Sequence, residues 1–214
     1  MVNLVIQSNY YESPTKRKKR DIILNTAFQL FVKKGIQDVS MQEIAQHAGM
    51  QRRSLYNYYN DMEQIALDIM GYHYEHIKSL DWDFDNKTAY ESVFSLFTQM
   101  YEYIVKNPDF LVFASYFDHL FKDGYKNPDI VDFILNAQNT ELFSDFKEKN
   151  KLDHSLHPAF AENLGKNLHN LLISMYTFAQ KMILQNMKLK KSSDYDFKAI
   201  KDYKDLLLNL ISNK

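Results

Sequence analysis

Residues 40–58 read SMQEIAQHAGMQRRSLYNY, and this stretch decides the fold of the N-terminal part of the chain. Ser40 followed by Glu43 matches the capping-box pattern that begins a helix. Gly49 then allows a tight turn, and a second short helix is predicted over residues 51–58. Two short helices joined by a glycine-containing turn are typical of a helix-turn-helix.

The second helix of this motif points to DNA as a ligand. In a helix-turn-helix it lies in the major groove and presents its N-terminal residues to base edges. Arginine can bond guanine, and glutamine adenine, with two hydrogen bonds each. The residues at this place are Gln51, Arg52, Arg53 and Ser54. The basic run 16–20, with Lys16 at its start, could add phosphate contacts, although such runs are as often merely solvated.

The flanking segments are predicted to be helical. Residues 1–14 are expected to form an irregular arm, after which Ile23, Ala27, Leu30 and Phe31 follow helical spacing. Asn60 is expected to cap the long helix that follows the motif.

Beyond residue 80 the pattern stays helical. Pro158 is predicted to open a helix that reaches Lys190, and apolar residues on two of its faces imply burial from both sides. The chain has only five glycines and four prolines in 214 residues, whereas a βαβ fold would need more turn glycines. We therefore predict an all-α fold of about nine helices without a convincing strand.

Charge is distributed unevenly, although the net charge is only −1. Residues 1–60 hold nine Lys and Arg against four Asp and Glu, while residues 61–214 hold seventeen against twenty-three. A basic N-terminal part suits a polyanion. We therefore predict an arm and DNA-binding domain over residues 1–60, and a helical second domain over 61–214 that begins with a connecting helix at 61–79.

Several kinds of chemistry find no support in the sequence. Without cysteine there are no disulfides, Fe–S clusters or thiol nucleophiles. His73 and His76, like His154 and His157, are spaced for one helix face, but no carboxylate stands at an obvious third-ligand position. No HExxH, Ser-His-Asp or paired-carboxylate pattern is visible. We expect no metal, no cofactor and no enzyme activity.

The chain also lacks the marks of a membrane or secreted protein. No apolar run approaches the roughly 18 residues of a membrane-spanning helix. The N-terminal stretch has no basic region ahead of its apolar residues, so a signal peptide is not expected. The expected location is the cytoplasm.

Residues 22–69 read IILNTAFQLFVKKGIQDVSMQEIAQHAGMQRRSLYNYYNDMEQIALDI. The strings AFQLFVKKG, SMQEIAQHAG and LYNYYNDMEQI resemble the DNA-binding domain of the TetR family of transcriptional regulators. The 48 residues agree in order, spacing and N-terminal location. Beyond residue 80 the resemblance is confined to length and an all-helical layout.

The resemblance implies roles for individual side chains. Ser40 and Gln42 would approach the DNA backbone and a base, and Tyr56 would donate a hydrogen bond to a phosphate. Tyr58, where many members have histidine, could reach another phosphate. The side chains expected to face the major groove are Arg52, Arg53 and Ser54.

Two departures leave the operator sequence open. Met62 stands where a phosphate-binding lysine is common, which removes a cation. Arg53 stands where a small residue or proline is common, which adds one.

The resemblance also implies a homodimer formed by the last two long helices. A two-fold dimer places two recognition helices on DNA, so the operator should be roughly palindromic. The residues predicted at the dimer interface are Leu168, Leu171, Leu172, Met175, Met182, Leu207, Leu210 and Ile211.

An effector pocket in the second domain is the remaining implication. Aromatic side chains with a few polar groups would suit a small apolar or aromatic ligand. The candidates are His73, Tyr101, Phe113, Tyr116, Phe117, Phe143 and Tyr176. Helix-spaced aromatics also form ordinary core, and that alternative stays open.

The sequence thus predicts a DNA-binding transcriptional regulator, a repressor released by a small molecule. The alternatives are a regulator of the same fold that answers to a protein partner or to no ligand, and a helical carrier or enzyme with an incidental basic arm. The operator, the regulated genes and the effector are not encoded in any pattern visible here.

Overall fold

A computed structural model describes residues 13–78, 87–120, 154–162, 164–188 and 197–212. The α-helices within these ranges are α1 Pro14–Lys34, α2 Met41–His47, α3 Arg52–Leu55, α4 Met62–Lys78, α5 Ala89–Lys106, α6 Pro108–Leu120, α7 Pro158–Ala161, α8 Leu164–Lys188 and α9 Phe197–Ile211. A short 3-10 helix, Ile36–Asp38, follows α1. The only β-type pairing among the described residues is one isolated bridge between Leu156 and Ser212. The all-α prediction is confirmed.

The helices pack as two compact units. The first contains α1 to α4 and α6 from Asp109 onward, and the second contains α5 and α7 to α9. The first packing unit therefore extends past residue 60, because α4 packs on α1 and aromatic rings of α6 pack on Phe28 and Phe31 of α1. The proposed division of function at residue 60 is a separate claim and stays a prediction.

The core of the first unit follows the predicted helical period. Ile23, Ala27, Leu30 and Phe31 of α1 are all buried. Gly35 ends α1 at a positive φ of 92°, a conformation that glycine adopts without the steric cost of a Cβ atom.

The first helix begins earlier than predicted. Pro14 occupies its first turn and Arg17 N donates to Ser13 O, so the basic run 16–20 is part of α1 and does not precede it. Proline suits this position because it has no N–H to leave unpaired.

The cap of α4 lies one residue later than predicted. Asp61 Oδ1 accepts a hydrogen bond from Gln64 N at 2.9 Å, while the backbone N–H of Asn60 donates to Gln64 Oε1 at 3.0 Å. The two bonds together satisfy donors at the start of α4.

The helix predicted from Pro158 to Lys190 is broken. Pro158–Ala161 forms one turn and α8 begins at Leu164. The Nδ2 of Asn167 on α8 donates to the carbonyls of Ala159 and Phe160, at 3.3 and 3.1 Å. A side chain therefore satisfies carbonyls at the end of α7 that a continuous helix would have bonded through its backbone.

The second unit is built on α5, α8 and α9. Its buried residues include Val93 and Phe97 of α5, Met175 of α8, and Ile200 and Leu208 of α9. Lys204 of α9 is also buried. Its ammonium group lies 5.2 Å from the ring centre of Phe94 and 2.9 Å from Asp205 Oδ1. In the part of the chain that the structure describes, no helix is both long and apolar enough to cross a membrane.

Thr88 is the N-cap of α5, and its removal should destabilise the second unit. Its side chain accepts from Glu91 N at 3.2 Å, and the Glu91 carboxylate accepts from Thr88 N at 2.8 Å. We expect Thr88→Ala to lower the unfolding free energy by about 1 kcal/mol, because the Glu91 N–H loses its acceptor and the Glu91 carboxylate loses the Thr88 hydroxyl donor. Thermal unfolding followed by circular dichroism measures this. Thr88→Ser is the control, and a loss equal to that of Thr88→Ala would contradict the capping role.

Candidate nucleic-acid interface

At the start of α2, the first helix of the motif, only one of the two hydrogen bonds of the predicted capping box is formed. Ser40 Oγ accepts from Glu43 N at 3.2 Å, while the Glu43 carboxylate pairs with Lys34 Nζ at the end of α1. This hydrogen bond from Lys34 lowers the pKa of Glu43. The stabilisation exists above the ordinary carboxyl pKa and is lost as pH falls through the lowered one. The pair therefore ties α2 to α1 at neutral pH.

The turn between α2 and α3 has the geometry of a helix C-cap. Gly49 has a φ of 66°, and Met50 N donates to Ala45 O at 2.9 Å, the long-range bond of a Schellman motif. The glycine predicted to make the tight turn does so with a backbone conformation that L side chains rarely adopt.

The recognition helix α3 is shorter than the predicted span of 51–58. Regular α-helix covers Arg52–Leu55, and turns follow to Tyr58. The carbonyl of Leu55 accepts from both Tyr58 N and Tyr59 N, at 2.9 and 3.1 Å, which ends the helical register. The Tyr59 side chain, which follows these turns, is buried.

The predicted base-reading residues share one end of α3. Gln51, Arg52 and Arg53 are exposed and Ser54 is half-buried, while Leu55 faces the core. Gln51 stands at the N-cap position. This end of a helix also carries the positive pole of its dipole, which favours the approach of a phosphate. Of the other candidates, Ser40 and Gln42 are exposed at the start of α2.

Two of the candidates are in direct contact. One terminal nitrogen of Arg52 (NH2) donates to the hydroxyl of Tyr56 at 3.2 Å, and its guanidinium carbon lies 5.6 Å from the ring centre. The hydroxyl accepts this bond and keeps its own proton, so Tyr56 can still donate to a phosphate. The Arg52 side chain is thereby held against Tyr56, which lies one helical turn further along the chain.

The basic run 16–20 divides into two kinds of residue. Lys16, Arg17, Lys18 and Lys19 are exposed, but Arg20 is buried. Arg20 NH1 donates to the carbonyl of Tyr58 at 3.2 Å, and its guanidinium carbon lies 4.8 Å from the ring centre of Tyr59. The role of Arg20 was not predicted. The available signal was helical spacing, because Arg20 precedes the buried Ile23 and Leu24 by three and four residues.

Among the predicted DNA-binding residues, Tyr58 and Ser54 are half-buried, whereas the others are exposed. The guanidinium carbon of Arg20 lies 5.7 Å from the ring centre of Tyr58. The ring is thus engaged within the protein.

The predicted ligand-binding residues are divided between the two units. In the first, His73, Phe113 and Phe117 are buried, and the ring of His73 stacks on Phe110 at 3.9 Å between centres. Tyr116 is half-buried and lies beside Gly35. Tyr101 and Tyr176 are half-buried in the second unit, and Phe143 lies outside the described residues.

The packing of Phe113 supports the core alternative for that residue. Its ring contacts those of Phe28, Phe31 and Phe117, at 5.7, 6.2 and 6.0 Å between centres. A ring enclosed by neighbours of its own unit fills the interior and leaves little of itself for a ligand.

The predicted dimer-interface residues differ in burial, and their role at an interface stays a prediction. Leu168, Met175, Leu207 and Ile211 are buried within the chain's own core, so another protomer cannot cover them further. Leu171, Leu172 and Met182 are half-buried, and Leu210 is 65% exposed. Sequence periodicity identified the apolar faces of α8 and α9 but could not tell which of them meets the rest of the chain.

Other large apolar side chains are exposed on the same two helices. Ile173 and Met187 lie on α8, and Leu206 precedes Leu210 by one turn on α9. Within the described ranges no group of three or more His, Asp or Glu side chains could hold a metal ion. His157 instead caps α7, since its Nδ1 accepts from Ala159 N at 3.3 Å.

Comparison with known proteins agrees with this geometry. Residues 23–69 match the model of the family described as bacterial regulatory proteins, tetR family. A curated relative from Bacillus subtilis (strain 168), the uncharacterized HTH-type transcriptional regulator YuxN, is 30% identical over 100 residues. That alignment spans 44% of this chain and only about a third, 33%, of the relative's length.

Solved structures share the fold at low sequence identity. A tetR-family regulatory protein from Rhodococcus RHA1 has a TM-score of 0.66 at 16% identity, over 91% of this chain and 97% of that one. A putative transcriptional regulator from Saccharomonospora viridis in complex with choline has a TM-score of 0.65 at 14% identity, over 92% and 99%.

NalD, described as the secondary repressor of the MexAB-OprM multidrug efflux pump in Pseudomonas aeruginosa, has a TM-score of 0.62 at 14% identity, over 94% and 100% of the two chains. At such identities these likenesses concern the fold. The match over residues 23–69 and the helix-turn-helix geometry show that this N-terminal segment is similar to bacterial regulatory proteins of the tetR family.

Proposed function

We propose that this protein is a sequence-specific DNA-binding transcriptional regulator, a repressor that a small-molecule effector releases from its operator. The single observation that carries the proposal is the exposed N-terminal end of α3. Arg52 and Arg53 project there from a capped helix-turn-helix, beside Gln51. Such side chains can read base edges in the major groove.

Phosphate contacts would come from the surrounding exposed groups. Lys16 and its neighbours to Lys19 lie exposed in the first turns of α1, and Tyr56 carries a hydroxyl beside Arg52. Ser40, Gln42, Ser54 and Tyr58 would complete the contact surface. Phosphate contacts fix the register of the protein on DNA, while base contacts select the sequence.

The exposed apolar side chains of the second unit support a homodimer. Ile173, Met187, Leu206 and Leu210 are each more than a third exposed on α8 and α9. A second copy covering these residues through a two-fold axis would remove them from water. The two recognition helices of such a dimer would then meet a roughly palindromic operator.

The effector would act by shifting the population of DNA-competent dimers. A molecule that binds better when the two DNA-binding heads are wrongly spaced lowers DNA affinity, and DNA lowers the affinity for that molecule by the same factor. The choline complex of a structural neighbour and the repressor role of NalD support this direction. Tyr101 and Tyr176, which are half-buried in the second unit, are the candidates best able to contact a small apolar or aromatic effector.

The second domain, residues 61–214, would thus bind the effector and form the dimer, with α4 as the connecting helix. We place the protein in the cytoplasm, where bacterial DNA lies, and propose that it binds without catalysing a reaction. A second candidate function is a regulator of the same fold without a small-molecule effector. The stack of His73 on Phe110 favours it, because the protein's own aromatic rings fill that part of the interior.

Selection of bound fragments from a genomic DNA library tests the proposal. We expect one recurring, roughly palindromic sequence, bound with an affinity that falls steeply as salt rises. Uniform weak binding to all fragments, with and without candidate effectors, would contradict the proposal and favour a helical carrier.

Arg52→Ala and Lys18→Ala should weaken DNA binding in different ways. Loss of Arg52 should cost about 1 to 3 kcal/mol on the selected fragment and little on random DNA, since a base contact is lost. Loss of Lys18 should weaken both equally and reduce the slope of log affinity against log salt by about one. Fluorescence anisotropy at several salt concentrations measures both. The roles are contradicted if Arg52→Ala also affects the two DNAs equally.

Leu210→Glu should shift the dimer toward monomer. A charge placed in an apolar interface must lose water without a partner, which is strongly unfavourable. Sedimentation equilibrium at several protein concentrations gives the dissociation constant. Asn209→Glu is the matched control, because Asn209 is an exposed neighbour on α9. An unchanged dimer in Leu210→Glu would place the interface elsewhere.

A further inference from the structure

We propose that Arg20 is a positioning residue for DNA reading: without touching DNA, it fixes the direction of the recognition helix by holding the end of that helix onto α1 and α4. This inference rests on the proposed DNA-binding function. It separates Arg20 from the exposed bases beside it in the run 16–20, which would act on phosphates directly.

The recognition helix α3 is too short to be stable by itself. Four residues in regular helix cannot hold a direction alone, since isolated helices of such length are unstable. The direction of α3 must therefore come from its attachments. At its N-terminal side the Met50–Ala45 backbone bond fixes the turn, and inside it Leu55 is buried.

Beyond its C-terminal end, α3 is attached to α1 through Arg20. The carbonyl of Tyr58 lies just past α3 and accepts the hydrogen bond from Arg20 NH1 at 3.2 Å. Tyr59, the next residue, lies under the same guanidinium group.

The residues of this attachment also contact α4, through Asp68. The Tyr59 hydroxyl donates to Asp68 Oδ2 at 2.8 Å, and the same oxygen lies 4.0 Å from Arg20 NH1. Burial, and the charge of Asp68, raise the pKa of Tyr59, so the hydroxyl stays protonated and remains a donor. Arg20, Tyr59 and Asp68 thus join α1, the end of the motif and α4 in one cluster, in which Arg20 and Tyr59 are buried and Asp68 is half-buried.

The simultaneous contacts with the Tyr58 carbonyl and the Tyr59 ring require the planar guanidinium group of an arginine. A planar group with several donors can bond a carbonyl at its edge while its face lies on an aromatic ring. Lysine keeps the charge but supplies neither the plane nor the fork. Arg20→Lys therefore keeps the charge of the run 16–20 and removes the attachment.

The experiment compares wild type, Arg20→Lys and the control Lys33→Ala, an exposed base on the same helix. Two quantities are measured well below the unfolding temperature: the ratio of affinities for the selected fragment and for random DNA, and amide hydrogen exchange by mass spectrometry. For Arg20→Lys we expect the ratio to fall about tenfold, the size of one mismatched base pair, with an unchanged salt slope. Exchange should accelerate over residues 52–59 and not over 24–31, and Lys33→Ala should change neither quantity.

The other results overturn the proposal. A salt slope reduced by about one, with an unchanged ratio, would make Arg20 a phosphate contact. Faster exchange over residues 24–31 as well, with an unchanged ratio, would make Arg20 merely structural.

Hydrogen exchange needs no DNA, so it tests the Arg20 attachment separately from the proposed DNA-binding function. If wild type selects no fragment, the DNA-binding function fails, while local acceleration at 52–59 would still establish the attachment. Unchanged exchange at 52–59 rejects the positioning role whatever the DNA result.

Discussion

A helix of four residues, Arg52–Leu55, carries the side chains that would read DNA, and it cannot hold its own direction. Much of the first unit can be understood as support for this helix. Ser40 caps α2, the Lys34–Glu43 pair ties α2 to α1, and Gly49 permits the turn. Among the helices of this unit, α2 packs on α1, α3 packs on α2, and α4 packs on α1.

The same residue type serves two purposes in this support, and burial separates them. Arg52 is exposed and held only by a neighbouring tyrosine, so it can exchange that contact for a base or a phosphate. Arg20 is buried against a carbonyl and an aromatic ring, where removing it would leave buried polar groups without partners. A basic run in a sequence is therefore not one functional unit when it lies on a helix, because the helical period turns some of its members inward.

Much of this could be predicted from the sequence, where local patterns decide. The Ser40 cap, Gly49 and the buried period of α1 are consequences of backbone hydrogen bonding and of 3.6-residue spacing. What failed depended on tertiary partners. The break before α8 involves the Asn167 side chain, and the identity of the exposed apolar face on α8 and α9 depends on what α5 already covers. Two apolar faces on one helix look alike until one of them is seen to be covered.

The packing of α4 bears on how an effector signal could reach DNA. Ile65, Ala66 and Ile69 of α4 are completely buried, and Asp68 joins the cluster around Arg20. A close-packed interior resists gradual deformation, so a displacement of α4 would carry α1 and α3 with it as one body. In the proposed dimer, such coupling would favour a change in the spacing of two intact helix-turn-helix units over a local distortion of α3. Loss of the Arg20 attachment would weaken this coupling, because α3 would no longer follow α4 through Tyr59 and Asp68.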